Sequence, residues 1–294
     1  MKRCVRCATP FSGQEWRCPA CGYAPDRIGG FPAFAPELAG GGEGFDPALF
    51  SELARLEARN FWFRARNRLI VWALKRFFDG AQSLLEIGCG TGFVLSGIAA
   101  AFPNVRLAGS EVNPEGLGFA ASRVASARLM QMDARRIPFE AEFDVVGAFD
   151  VIEHIDDDRT VLREMHRAVK PGGGILLTVP QHRFLWSEYD VRARHVRRYT
   201  ADELRGKVLE AGFRIVRMTS FVALLLPLML LSRLAKRAPR DGYDPLAELR
   251  LAAGLNAFFE AALAFERGLI RAGATFPAGG SLLVVARRPQ ISDE

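Results

Sequence analysis

From Ser83 to Pro180, apolar runs of strand length alternate with helix-period stretches at the spacing of βαβ units. Ser83 to Ile87 reads as a first strand. It runs into glycines at alternate positions, Gly88, Gly90 and Gly92, and a small apolar segment from Phe93 to Phe102 then starts a helix. Arg106 to Ser110 reads as a second strand ending at Glu111, and Leu129 to Ala134 as a short third one that reaches Asp133. Phe143 to Phe149 is the fourth and Ile175 to Val179 the fifth. Between them a helix from Asp158 to Val169 is stopped by Lys170-Pro171-Gly172-Gly173-Gly174, because proline and glycine cannot continue it. This succession predicts an α/β fold with a doubly wound parallel sheet covered on both faces.

The flanks read differently. Pro47 to Phe78 is helical, with Leu49, Leu53 and Leu56 on one face and Leu69, Trp72, Ala73 and Phe77 on another. The aromatics Phe61, Trp62 and Phe63 lie between, placed either to pack in the core or to fold over the glycine turn as a lid. Residues 25–46, rich in proline and glycine, are expected to be a linker. They separate an N-terminal unit, 1–24, from a main domain, 47–294, which carries a helical insertion over 221–273. That insertion opens with the most hydrophobic run of the chain, Phe221 to Leu231, followed by Arg233, Lys236, Arg237 and Arg240. Such a run over 221–240 suits an interfacial membrane helix, or else buried packing or a homodimer contact.

Composition changes this picture little. Hydrophobic residues make up 49% of the 294, enough for a sizeable core, and the net charge is +6. No apolar run reaches the ~18 residues of a membrane span, and the basic start lacks a signal-peptide core. The expected location is the cytoplasm, with peripheral contact at the inner face of the membrane if the insertion is interfacial.

Four of five cysteines fall in the first 21 residues, as Cys4-x-x-Cys7 and Cys18-x-x-Cys21 with ten residues between the pairs. Each pair can place two thiolates on one face of a metal, and the two together complete a tetrahedral Zn²⁺ site. The segment is too short to fold on an apolar core, so zinc would supply most of its folding free energy. It resembles a zinc ribbon, with Cys-Pro-x-Cys-Gly as the second knuckle. Four protein ligands leave no open position, so the role is structural. A redox dithiol or an iron–sulfur site is the competing assignment, and no thioredoxin-like sequence surrounds either pair.

At the glycine turn the chemistry is sugar binding. Glu111 stands nineteen residues after Gly92, at the carboxyl end of the second strand, where an acid reaches both hydroxyls of a ribose. Asp133 can accept from an adenine amino group. Glu86 to Gly92, Glu111, Asp133 and Lys170 to Gly173 resemble, in order, the motifs of the class I S-adenosylmethionine-dependent methyltransferases. The resemblance covers about Phe61 to Phe221 and Ser281 to Arg287. It implies a seven-stranded sheet with an antiparallel last strand, the sixth and seventh strands being Phe213 to Thr219 and Ser281 to Arg287. It also implies S-adenosyl-L-methionine as cofactor, contacted by Glu86, Gly88, Cys89, Gly90, Gly92, Glu111, Val112, Asp133, Ala134 and Asp150. A Rossmann NAD(P) enzyme is the alternative, but the third glycine falls one residue early for its fingerprint.

Methyl transfer to a hydroxyl needs alignment and a proton acceptor. His154, with Glu153 beside it, follows the fourth strand and is the first candidate base. The segment Val151 to Ile155 also looks like that of quinone- and sugar-type O-methyltransferases, where a Glu-His pair is linked to catalysis or to a divalent metal. Capping of a helix is the plain alternative. The mixed polar and aromatic segment 181–199 offers Trp186, Tyr189, His195 and Arg198 as acceptor contacts. These observations point to O-methylation of a small-molecule or lipid-linked acceptor. An rRNA or tRNA methyltransferase using the zinc ribbon on RNA is disfavoured, since Asp150-Val151-Ile152-Glu153 stands where base methylation often uses Asn/Asp-Pro-Pro-Tyr. A non-catalytic cofactor-binding scaffold is the third reading.

Overall fold

The computed structural model describes residues 1–13, 15–40, 47–235, 246 and 249–290. Two short strands, β1 (Lys2–Arg3) and β2 (Pro10–Phe11), pair antiparallel beside the cysteines. Strands β3 (Asp26–Ile28) and β4 (Phe31–Ala33) follow, then helices α1 (Phe50–Leu56) and α2 (Phe61–Phe77). The alternating part runs β5 (Ser83–Ile87), α3 (Phe93–Ala101), β6 (Arg106–Glu111), α4 (Pro114–Arg123), β7 (Arg128–Gln131), β8 (Phe143–Phe149), α5 (Asp158–Ala168) and β9 (Val169–Pro180). It is completed by α6 (Glu188–Arg192), α7 (Ala201–Glu210), β10 (Arg214–Phe221), α8 (Leu226–Ala235), α9 (Ala253–Arg271) and β11 (Ser281–Arg287).

The main sheet has the order β10-β11-β9-β8-β5-β6-β7-β4-β3. Its first seven members are the expected seven-stranded sheet, with β11 antiparallel to both neighbours. Strand alternation supplies the two buried faces. Leu85 and Ile87 of β5, Val146 and Ala148 of β8, and Ile175, Leu177 and Val179 of β9 enter one core. Leu84, Val145, Leu176, Leu283 and Val285 enter the other. The segment read as a stop after α5 is a bulge: β9 begins at Val169, and its register with β8 jumps from Phe143↔Val169 to Val145↔Gly174.

Two expectations are corrected at the opposite edge. Among the described residues the sheet has the seven expected strands and two more, because residues 26–33 form a hairpin rather than a linker. Gly29 and Gly30, both at positive φ, make its two-residue turn. β4 then pairs parallel with β7 through Ala33 and Gln131, and the Gln131 amide bonds both the N–H and the carbonyl of Ala35 at 3.0 and 2.6 Å. Ala33, Phe34 and Ala35 are buried there, so apolar burial and satisfied backbone override the loop-like composition. The remaining linker residues 41–46 lie outside the described residues. The cysteine unit docks on this edge, with the Trp16 ring 4.5 Å from Phe34 and 5.4 Å from Phe139.

In the insertion, Glu266 of α9 is buried and accepts the backbone N–H groups of Val222, Ala223 and Leu224 at 2.6, 2.7 and 2.9 Å. Val222 sits at φ +59, and this turn of three donors after β10 is what the carboxylate neutralises. Lys236, Arg237 and Arg240 of the predicted 221–240 segment lie outside the described residues. Among the described residues no helix is long and apolar enough to cross a membrane.

Candidate active site

The carboxyl ends of β5, β6, β8 and β9 open into one cleft of about 370 Å³, the place where doubly wound sheets bind ligands. Glu86, Gly88, Cys89, Gly90, Glu111, Val112, Asp133, Ala134 and Asp150 line it, together with Glu153, His154, Tyr189, His195 and Arg198. Trp186 does not; it is 39% exposed, in the turn before α6, and leaves the proposed acceptor set. Gly92 is not on the cleft wall either. Its φ is +76, and a Cβ there would stand 2.7 Å from the Ala120 Cα, so this glycine lets α4 pack against the turn. At Gly88, φ +64, a Cβ would meet Val151 at 2.5 Å, which holds the end of β8 against the end of β5.

At one end of the cleft the chemistry is mostly backbone. Glu111 accepts from the N–H groups of Gly90 at 3.0 Å, Val112 at 2.8 Å and Asn113 at 3.2 Å. Burial still pushes its carboxyl up. Glu86 is buried with Oε2 unpartnered, and burial pushes it well above the usual carboxylate range. Burial also raises the Cys89 thiol well above its ordinary value, so it is a small protonated side chain in the turn and no nucleophile. Asp133 is engaged by Arg135, whose N–H and Nε lie at 2.8 and 3.0 Å.

The aromatics of α2 do both things expected of them, Phe61 and Trp62 packing on the core while all three reach the cleft. Phe61, Trp62 and Phe63 line the cleft, and so do Phe50 and Leu53 of α1. What ties α1 down is a residue that sequence reasoning missed: buried Glu57 accepts from Thr91 Oγ1 at 2.6 Å and from Arg123 at 2.7 Å. Arg66 of α2 was missed too. Its guanidinium lies 4.4 Å from the Trp62 ring and pairs with Asp150, which also accepts from Thr178 Oγ1 at 2.8 Å. Asp150 is held at φ +58, a strained conformation for a residue with a side chain. Only the α-helical spacing of Arg66 behind Trp62 signalled its place.

At the other end side chains dominate. Asp190 has no exposure and forms two bonds to Arg198, Oδ1 to Nε at 2.7 Å and Oδ2 to Nη2 at 3.1 Å. Its Oδ1 also lies 2.8 Å from His195 Nδ1. Burial opposes its charge, but His195 and Arg198 outweigh that and hold the carboxyl at about 2. An ionised carboxylate only accepts, so Nδ1 of His195 carries a proton, which in the neutral ring leaves the lone pair on Nε2. His154 meets the His195 ring edge-on with centroids 4.7 Å apart. Burial, then His195, lowers its pKa to about 3, so it is neutral at physiological pH. Glu153 is fully buried with neither oxygen hydrogen-bonded among the described residues, and burial, then Asp150, pushes it well up. Burial raises the Tyr189 hydroxyl to about 12. Asp190 was missed as a site residue, though a Ser-x-x-Asp capping box at Ser187 announces it.

Among the described residues two groups could hold a metal. Sγ–Sγ distances of 3.6 Å for Cys4–Cys21 and Cys7–Cys18 approach the ~3.7 Å edge of a tetrahedron with Zn–S bonds near 2.3 Å. The residues therefore fit a structural zinc ion. Ligand atoms of Glu153, His154 and His195 lie within 4.8 Å of one another, and the orphaned Glu153 oxygens and His154 Nδ1 are the groups a divalent cation would satisfy.

Residues 53–218 match the family of the methyltransferase domain, more than half of the chain. The chain belongs to that family. It is 30% identical over 167 residues to a probable S-adenosylmethionine-dependent methyltransferase of Mycobacterium tuberculosis, covering 55% of this chain and 59% of that protein. Over 152 residues it is 32% identical to the ubiquinone biosynthesis O-methyltransferase of Pseudomonas aeruginosa, covering 44% and 62%. The matched region thus spans less than two thirds of these relatives. Among solved structures, phosphoethanolamine N-methyltransferase 2 of Haemonchus contortus in complex with S-adenosyl-L-methionine superposes with a TM-score of 0.52 at 21% identity, covering 76% of this chain and 53% of that one. The [4+2]-cyclase SpnF gives 0.53 at 22%, covering 78% and 84%. These two show that the methyltransferase has the class I fold; that a cyclase shares it means the chemistry must be argued from the site. S-adenosylmethionine is the donor this family implies, and the cleft fits it: the buried Glu86, with Oε2 unpartnered among the described residues, and the Glu111 carboxylate at the end of β6 line it beside the glycine turn, where a ribose could bond them.

Proposed function

We propose that this methyltransferase moves the methyl group of S-adenosylmethionine to a hydroxyl of a small-molecule or lipid-linked acceptor, with His195 as the proton acceptor. The observation that carries the reading is the chain Arg198–Asp190–His195, which holds Nδ1–H of a histidine on the cleft wall against a carboxylate. The bound cofactor supplies an electrophilic methyl on a sulfonium. When the methyl group is transferred, Nε2 of His195 would take the proton of the acceptor hydroxyl. His154, held neutral by burial, packs behind His195 rather than taking the proton. Arg66 fixes Asp150 at the junction of the two ends, and the α1–α2 aromatics exclude water. The relative in Pseudomonas aeruginosa, named for O-methylation in ubiquinone biosynthesis, supports an oxygen acceptor.

A second reading rests on the unpartnered Glu153 oxygens: Glu153, His154 and His195 hold a divalent cation that acidifies the acceptor hydroxyl. Labelled-methyl transfer from S-adenosylmethionine into lipid, small-molecule and RNA extracts tests both. The proposal expects label in a lipid or small-molecule fraction, retained after chelation and lost in His195→Ala. Loss on chelation, restored by Mg²⁺, selects the cation reading, and label in RNA overturns the acceptor class.

A further inference from the structure

Helix α9 turns an unusual face outward. Its exposed positions from Ala253 to Gly268 are Ala253, Gly254, Leu255, Ala257, Phe258, Ala261, Phe265 and Gly268, without one polar side chain. Phe258 and Phe265, seven residues apart and so on one line of the helix, are 63% and 64% exposed. The opposite face is occupied: Leu263 and Ile270 enter the core, Glu266 caps the turn after β10, and Phe259 packs on Phe61 at 5.2 Å.

One flank of the same helix is basic. Arg267 and Arg271 share a groove with Arg64, Arg68 and Lys75 of α2. Among the described residues one acid, Glu260, pairs with these five cations, with Arg64 at 3.0 Å and Arg68 at 2.6 Å. α2 contains no acid, and the only other acid of α9 is the buried Glu266. Arg267 Nη1 is buried without a hydrogen-bond partner among the described residues. Apolar side chains bordered by cations on one helix are the two terms that hold a peripheral protein on a charged bilayer. The other insertion helix joins the exposed apolar side chains to the cleft, since α8 presents Leu228 and Leu231 to solvent while Met229 and Arg233 line the cleft.

We infer that the α9 face and its basic flank dock this methyltransferase on an anionic membrane surface, with Phe258 and Phe265 inserted among the acyl chains and Arg267 and Arg271 at the headgroup phosphates. A polynucleotide would use the cations but leave the phenylalanines in water. A second copy would have to bring acids to this groove. The inference stands apart from the acceptor assignment, because its test reads binding and not turnover.

The test is flotation of the full chain with phosphatidylcholine vesicles, with and without phosphatidylglycerol. Binding is expected only with phosphatidylglycerol, weakened by added salt. It should fall about tenfold or more in Phe258→Asp/Phe265→Asp and again in Arg267→Glu/Arg271→Glu, with melting temperatures within a few degrees of the parent. Absence of flotation by the parent chain overturns the inference. So does light scattering that shows a dimer broken by Phe258→Asp/Phe265→Asp, or flotation unchanged in both folded variants.

Discussion

The two ends of the cleft are built by different means. At the cofactor end, Glu111 reads three backbone N–H groups within a few residues of the glycine turn, and the walls are strand ends locked by the sheet. At the acceptor end, Asp190, His195 and Arg198 come from the segment after β9 and meet Glu153 and His154 from the end of β8. Backbone geometry repeats wherever the local sequence repeats, whereas a side-chain constellation exists only after tertiary folding. The first end therefore fixes what is bound, and the second can change what is done.

If the division is real, single substitutions should separate binding from turnover. The largest effect is expected from His195→Ala, which should lower turnover by about 10²–10⁴-fold while calorimetry finds the cofactor affinity within about twofold of the parent. Glu111→Ala should do the reverse, weakening S-adenosylmethionine by about 100-fold, the worth of a charged group's lost hydrogen bonds, with turnover at saturating cofactor largely kept. Unchanged affinity in that variant would remove Glu111 from the site.

Glu153→Gln sharpens the acceptor end through pH. The folded pKa of Glu153 is raised, so its contribution is complete below its unfolded value, near 4.3, and is lost as pH rises above it. The chelated variant should melt above the parent by a margin that grows from pH 5 to pH 8, at about 2–4 °C per kcal/mol. A margin that stays flat from pH 5 to pH 8 would mean the carboxylate is charged and paired in the fold. The smallest effect at the cleft is expected from Cys18→Ser or zinc removal. The cysteine unit packs through Trp16 on the β4 edge, away from the cleft, so cofactor affinity should stay within about twofold while Trp16 fluorescence reports loss of the ribbon.

The same contrast explains how much could be read from the residues. The strands β5 and β8 are found where the apolar runs put them, and the last strand β11 where the family resemblance implied it, because each crosses a core and one-residue slips would bury the wrong face. Nine of the ten expected cofactor contacts line the cleft, Gly92 being the one that serves helix packing instead. The 26–33 hairpin was hidden by its composition, its signal being the Gly29-Gly30 pair. Trp186 was misplaced because aromaticity in a loop says nothing about direction. Asp190, Arg66 and Glu57 left at most a local signal, a cap or a helical spacing, because their partners lie 5 to 84 residues away, in separate elements or across a loop.

The central claim, that the two ends act independently, is tested most directly by a double-mutant cycle with Glu111→Ala and His195→Ala on single-turnover methyl transfer per free enzyme and cofactor. The account predicts additive losses, with a coupling energy within about 0.5 kcal/mol of zero. A coupling well above about 1 kcal/mol would contradict it and make cofactor binding and proton removal one machine.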